Sequence, residues 1–187
     1  DTAFTFGLGT VDDKDVRWTR TADLSGWDGT TIPDWPDDAV AAWDWVMHED
    51  FDLYSLQTGL ALNYDIALMF LDEPVYDVPL GYLIRADEAD QVVEDAVVDV
   101  VGWGQQIATN IWEAPPEGSY GLKMMGESHI AQVADYEIQI GEAESDVRKC
   151  HGDSGGPTFM AVESDYDEPV RVIGATSHAY DQTDYFT

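Results

Sequence analysis

Cysteine is almost absent from this chain. Its 187 residues include one cysteine, Cys150, so no internal disulfide can form within them. Long hydrophobic runs are also missing, and without about 18 consecutive apolar residues a transmembrane helix is excluded. The composition is 44% hydrophobic and 12% aromatic, so the chain can bury a sizeable core in one large or two small domains.

Basic residues are scarce as well. Eight Lys and Arg face 38 Asp and Glu, which gives a formal net charge of -30. This charge repels nucleic-acid phosphates and anionic membrane surfaces, so we expect neither as a partner. The acids are scattered, as on a solvated surface. An acid-rich surface with only three lysines leads to the hypothesis that the protein is kept soluble in high salt.

Short apolar or alternating runs, separated by Gly, Pro and Asp, dominate what the sequence does contain. They predict strands at residues 2–9, 65–71, 96–101, 129–140, 158–162 and 170–176. Residues 39–47 fit either a helix or a strand. The pattern favours an all-β barrel or sandwich.

The most informative stretch is residues 150–157, Cys-His-Gly-Asp-Ser-Gly-Gly-Pro. Ser154 lies between two glycines, Gly152 and Gly155, that free the backbone around it, and Gly152 has no side chain to block its N–H from a reacting group. The acid Asp153 directly precedes the serine. Such a loop presents an activated hydroxyl beside backbone oxyanion donors.

Residues 152–156 also satisfy the Gly-x-Ser-x-Gly pattern of α/β-hydrolases. That fold requires a helix directly after the serine, with its acid and histidine following. Here an apolar strand is predicted after Pro157, and only 33 residues follow Ser154. The pattern therefore disfavours this alternative.

Three motifs in order carry a family resemblance: Asn-Tyr-Asp-Ile-Ala-Leu at 63–68, Val-Gly-Trp-Gly at 101–104, and the serine motif at 150–157. Their order and spacing resemble the chymotrypsin/trypsin family of serine proteases. The resemblance implies two six-stranded antiparallel β-barrels, the first of them incomplete in this chain.

The implied domain organisation has three parts. Residues 1–80 are the remainder of the first barrel, residues 81–95 a crossing segment, and residues 96–187 the second barrel without its C-terminal helix. The resemblance also implies a secreted or otherwise extracytoplasmic monomer that acts on polypeptides and needs no cofactor.

The resemblance assigns roles to the motif residues. Ser154 is the nucleophile, and the N–H groups of Gly152 and Ser154 form the oxyanion hole. Asp65 is the buried acid that orients the general-base histidine, and Ser177 flanks it. Asp153 matches the acid that pairs with a new N-terminal ammonium after zymogen cleavage.

The catalytic histidine has no match in the chain. The family carries it in an Ala-Ala-His-Cys motif before the triad aspartate, so we expect it upstream of Asp1 and expect this chain alone to be inactive. His48 resembles a surface position, and His129 a plain strand residue. The alternative is a catalytically dead homologue that acts as a protein-binding module.

The resemblance also suggests a substrate pocket, with candidates Arg148, Lys149, His151, Ser177, His178 and Ala179. Arg148 falls at the pocket floor, where a guanidinium favours acidic and repels basic substrate side chains. Two alternatives stay open: Asp181 or Asp184 neutralises Arg148, or Arg148 and Lys149 face solvent.

Metal sites are not predicted. No two histidines have ligand spacing, and one cysteine cannot make a zinc site. The acid clusters at 12–15 and 165–167 are either weak calcium sites or solvated loops. Family members usually pair the cysteine at the Cys150 position, so Cys150 is a free thiol or pairs outside this span.

Overall fold

The computed structural model describes residues 3–5, 17–19, 37–55, 57, 59–76, 78–107, 116, 118–166 and 168–179. Within these ranges the regular structure is almost entirely β, as predicted, with 3-10 turns only at Leu53–Ser55 and Ala89–Gln91. The strands are β1 Ala3–Thr5, β2 Arg17–Thr19, β3 Val40–Met47, β4 Ala67–Leu71, β5 Val97–Gly102, β6 Met124–Val133, β7 Ile138–Ile140, β8 Pro157–Ala161 and β9 Val170–Ala175. The acid cluster at 12–15, Asp167, Asp181 and Asp184 lie outside the described residues.

The first sheet has the order β1-β2-β3-β4, and all its neighbours are antiparallel. Residues 39–47, which local signals left undecided, form β3 because long-range pairing with β4 fixes them as a strand. The register pairs Met47 with Ala67 and shifts between Ala42 and Asp44. This sheet leads the chain into the loop that carries Asp65.

The second sheet has the order β7-β6-β5-β8-β9, again antiparallel. Its core is a buried cluster of Val98, Ile130, Met160 and Val162. Val98 and Val100 are buried while Val97 and Asp99 are exposed, as the two-residue period of a strand requires.

The second sheet is curled, so that its two outer strands, β7 and β9, approach each other. Ile138 Cδ1 on β7 lies 3.8 Å from the position of a Cβ built on Gly174 of β9. Four strands of the first sheet and five of the second are described, and the prediction was six strands per barrel with the first barrel incomplete in this chain. The curled sheet is consistent with the predicted pair of antiparallel barrels.

Residues 129–140 differ from the prediction of one continuous strand. They contain the end of β6, a turn at 134–137 closed by the Ala134 N–H to Glu137 O hydrogen bond, and β7. Loose alternation on both sides of a turn gives no local sign of the reversal. The predicted domain boundaries at 80 and 95 stay predictions.

Candidate active site

We define the nucleophile loop as residues 149–157. It forms a tight turn that leads into β8. Gly152 and Gly155 have φ of 92° and 76°, in the region that favours glycine. The Asp153 N–H donates to Cys150 O at 3.0 Å. These bonds and angles leave Ser154 exposed at the tip of the loop.

Two backbone donors at this tip are available to a ligand. Neither the Gly152 N–H nor the Ser154 N–H donates to another protein atom within the described ranges. A Cβ at position 152 would lie 3.1 Å from Gly104 Cα, so a side chain there would crowd the neighbouring loop. The arrangement suits stabilisation of a developing oxyanion by backbone N–H groups.

Asp153 fastens the nucleophile loop from behind. Its Oδ1 accepts a hydrogen bond from the Gly104 N–H and its Oδ2 one from the Cys150 N–H, each at 2.8 Å. A Cβ at Gly102 would lie 1.8 Å from Oδ1, so the carboxylate occupies space that only glycine leaves free. The two glycines of the Gly-Trp-Gly motif therefore accommodate the Asp153 carboxylate. The predicted pairing of Asp153 with an N-terminal ammonium stays a prediction.

Asp65 lies in a strained turn immediately before β4. Tyr64 has φ of 53°, which is unusual for a bulky residue, and its carbonyl accepts from the Ile66 N–H at 2.8 Å. Ser177 Oγ donates to Asp65 Oδ2 at 2.6 Å. Asp65 is exposed, whereas the resemblance implied a buried acid, because it faces an open cleft.

Two histidines lie near Asp65. His178 has Nδ1 2.9 Å from Ser177 Oγ and Nε2 3.1 Å from Gly59 O. His48 stacks on Tyr64 with ring centroids 4.6 Å apart. Its Nδ1 accepts from the backbone N–H of residue 50. In the described part of the chain, no hydrogen bond joins either imidazole to Asp65.

A cleft of about 960 Å³ lies between the Asp65 turn and the nucleophile loop. Eight of the ten predicted site residues line it, and the other two, Gly152 and Asp153, directly precede Ser154. The lining set is Asp65, Arg148, Lys149, His151, Ser154, Ser177, His178 and Ala179.

Arg148, the predicted pocket floor, is half-buried in this cleft. Its Cγ lies 3.0 Å from the position of a Cβ on Gly141. Backbone hydrogen bonds from Glu142 and Ala143, with a smaller contribution from Arg148, lower the pKa of Asp146 below its usual value. The carboxylate of Asp146 therefore lies close enough to Arg148 to offset part of its positive charge.

Lys149, also a predicted pocket residue, is half-buried with its ammonium turned onto the backbone. Its Nζ donates to Val101 O at 2.9 Å and to Pro157 O at 2.7 Å. Burial lowers the pKa of Lys149 to about 8, although the negative charge of Asp153 opposes the shift. Cys150 is a free thiol within the described residues, and burial raises its pKa.

Sequence reasoning missed the residue that joins the Asp65 turn to the second sheet. Glu137, in the β6–β7 turn, accepts from the Asn63 side-chain amide at 2.9 Å and from the Ala61 N–H at 2.7 Å. Asn63 is buried and belongs to the Asp65 motif. Its position two residues before Asp65 was a signal, but nothing local pointed to a partner 74 residues away.

In the part of the chain that the structure describes, no three His, Cys, Asp or Glu side chains lie close enough together to hold a metal ion. No helix in the described part has the length and apolar character needed to cross a membrane.

Comparison with known proteins agrees with the geometry. A family model described as Trypsin matches residues 29–185, a range that includes the Asp65 turn and the nucleophile loop. A search of the curated proteins found no match to this chain. Since the family model covers most of its length, the chain belongs to the chymotrypsin/trypsin-like serine protease family.

Proposed function

We propose that this chain carries the nucleophile, acid and oxyanion donors of a serine endopeptidase. The observation that carries the proposal is the joint placement of Ser154 and Asp65 on one cleft, with two backbone N–H groups free at the serine. Polypeptides are the substrates, as the family membership suggests.

The reaction starts when Ser154 Oγ attacks the carbonyl carbon of the scissile peptide bond and gives its proton to a histidine. The carbonyl oxygen becomes an oxyanion, which accepts hydrogen bonds from the Gly152 and Ser154 N–H groups. Collapse breaks the C–N bond, and the amine leaves with the proton from the histidine. Water then hydrolyses the acyl-enzyme by the same steps.

In this proposal the general base is a histidine outside residues 1–187, and the chain alone is inactive. His48 and His178 line the cleft, yet the hydrogen bonds of their rings run to other groups than Asp65. Asp65 already accepts from Ser177, and its exposed face is available to a further donor. That donor is the Nδ1–H of the missing imidazole.

A serine-directed fluorophosphonate tests this proposal on the full-length protein. We expect labelling at Ser154, none in Ser154→Ala, and a roughly 10⁴-fold lower kcat in Asp65→Asn, because the histidine loses its orienting acid. His48→Gln and His178→Gln should keep labelling. A folded wild-type protein that is never labelled would instead support the protein-binding homologue.

We further propose a non-tryptic substrate preference. A half-buried guanidinium at Arg148 repels basic substrate side chains, although Asp146 reduces this effect. A peptide library should show little cleavage after Lys or Arg, and Arg148→Ser should relax this discrimination. Cleavage of wild type chiefly after Lys or Arg contradicts the preference.

The net charge of -30 leads to a third proposal, that the protein is secreted and functions at high salt concentration. Self-repulsion among its acids weakens the compact state, and salt screens that repulsion. The unfolding midpoint should rise between about 0.1 M and about 2 M KCl. A midpoint and activity indifferent to salt contradict this adaptation.

A further inference from the structure

Lys149 is one of three lysines in the chain, and its half-buried side chain starts the nucleophile loop. It bonds to Val101 O, on β5, and to Pro157 O, the first residue of β8. Those strands pair with each other through Val100 and Thr158. The ammonium therefore ties the start of the loop to both strands that frame its end.

Glycine at position 156 makes room for this tie. A Cβ there would lie 3.0 Å from Lys149 Nζ and equally close to Val101 O. The backbone of the nucleophile loop therefore packs against the Lys149 ammonium at Gly156, two residues after Ser154.

Asp153 holds the other side of the same loop through the Gly104 and Cys150 N–H groups. Its charge acts on Lys149, but the two side chains form no direct ion pair. Lys149 and Asp153 therefore restrain different backbone atoms. Between them they fix the segment that presents the Gly152 and Ser154 N–H groups.

Stability alone does not account for a lysine at this position. Burying an ammonium without a carboxylate partner costs desolvation free energy, and an unbranched apolar side chain of similar length avoids that cost. The ammonium does supply what an apolar group lacks, namely two donors directed at two backbone carbonyls.

We propose that Lys149 is a positioning residue that holds the two oxyanion donors in their productive orientation. It acts through the loop backbone and does not touch the reacting atoms. This inference rests on the proposed serine endopeptidase function.

The test compares Lys149→Met and Lys149→Arg with wild type in the full-length protein. We expect Lys149→Met to lower kcat about 10- to 100-fold with KM changed less than about twofold, because misplaced donors weaken only the transition state. Lys149→Arg keeps a cation and should recover most of kcat. Arg85→Met, which removes an exposed cation outside the set of residues that line the cleft, should match wild type.

A pH profile gives a second measurement if Lys149→Met does not fold. Asp153 is the group whose charge acts on Lys149, and Cys150 is its neighbour in sequence. In a Cys150→Ala background, kcat should fall above about pH 8, because Lys149 then loses its proton and its hydrogen bonds to the two carbonyls lose the strength that the charge gives them. With Lys149→Arg in the same background, kcat should stay level.

The outcomes separate the two proposals. If wild type is neither active nor labelled by fluorophosphonate, the serine endopeptidase function is wrong. If wild type is active but Lys149→Met has wild-type kcat, or the two pH profiles coincide, the positioning role is wrong.

Discussion

Two cations in the second half of the molecule, the buried Arg171 and the half-buried Lys149, lie in opposite surroundings. Arg171 on β9 donates to both carboxylate oxygens of Glu88, at 2.7 and 2.8 Å, and the two side chains are 2% and 4% exposed. Among the described residues, Lys149 contacts two backbone carbonyls and no carboxylate. One cation is neutralised by a planar, bidentate partner and the other is not.

The pKa values follow this difference. Hydrogen bonding to Glu88 raises the pKa of Arg171. Burial lowers the pKa of Lys149 to about 8. The first cation joins the segment before β5 to β9, and Ser164 adds a hydrogen bond to Glu88 at 2.7 Å. Arg171 therefore maintains the fold, whereas Lys149 maintains a loop and lowers the stability of the fold.

The largest expected effect comes from removing Arg171. Arg171→Met leaves the Glu88 carboxylate buried without its cation, which is among the most destabilising changes a fold meets. We expect Tm to fall by about 10 °C or more, against a few degrees at most for Lys149→Met. Thermal unfolding by circular dichroism at neutral pH measures both.

The matched control is the double variant Glu88→Gln/Arg171→Met. It removes both charges, so it should be more stable than Arg171→Met alone if the unpaired carboxylate is the cause. Equal destabilisation of the single and double variants contradicts the pairing explanation and leaves packing of the arginine stem.

A smaller effect is expected in acid. The hydrogen bond from Arg171 is the main reason that the pKa of Glu88 falls from 4.5 to about 2. A lowered carboxyl pKa contributes stability above pH 4.5, and this contribution is lost as the pH falls from 4.5 through 2. Wild type should therefore lose stability over this range more steeply than Glu88→Gln/Arg171→Met.

Chemical unfolding at several pH values between about 2 and 6 checks this expectation, and the difference between the two proteins cancels the other acids. Parallel curves for wild type and the double variant would show that Glu88 titrates normally in the fold.

The sequence predicted which loops line the cleft better than it predicted the packing around them. Ser154, Gly152 and Asp65 were identifiable because a short motif contains its own geometric requirement, such as positive φ at a glycine. Strand β3 was not, since its local pattern fits two structures and its pairing with β4 decides between them.

The two cations show the same limit. Glu88 and Arg171 are 83 residues apart, and neither lies in a motif, so no local pattern pairs them. Lys149 was predicted as a pocket residue from its place beside Arg148. Lys149 does line the cleft, but its ammonium donates to the carbonyls of Val101 and Pro157, whose positions depend on how β5 and β8 assemble.

The smallest expected effect concerns Lys149 in mild alkali. Its pKa is lower in the fold than the usual 10.5, so the unfolded chain binds more protons between about pH 8 and pH 10.5. The stability that this site contributes therefore rises with pH across that window. A paired cation with a raised pKa behaves in the opposite way, because its contribution to stability falls as the pH rises. The side chain is partly exposed, and solvent screening reduces the expected gain to about 1 kcal/mol.

Denaturant unfolding of wild type and Lys149→Met at about pH 7.5 and about pH 10 measures this gain. The free energy of unfolding of wild type should rise relative to Lys149→Met between these two pH values. A fall relative to Lys149→Met would mean that the ammonium is stabilised by its surroundings as Arg171 is. In that case the two cations would share one structural role, and the positioning role of Lys149 would rest on its kinetics alone.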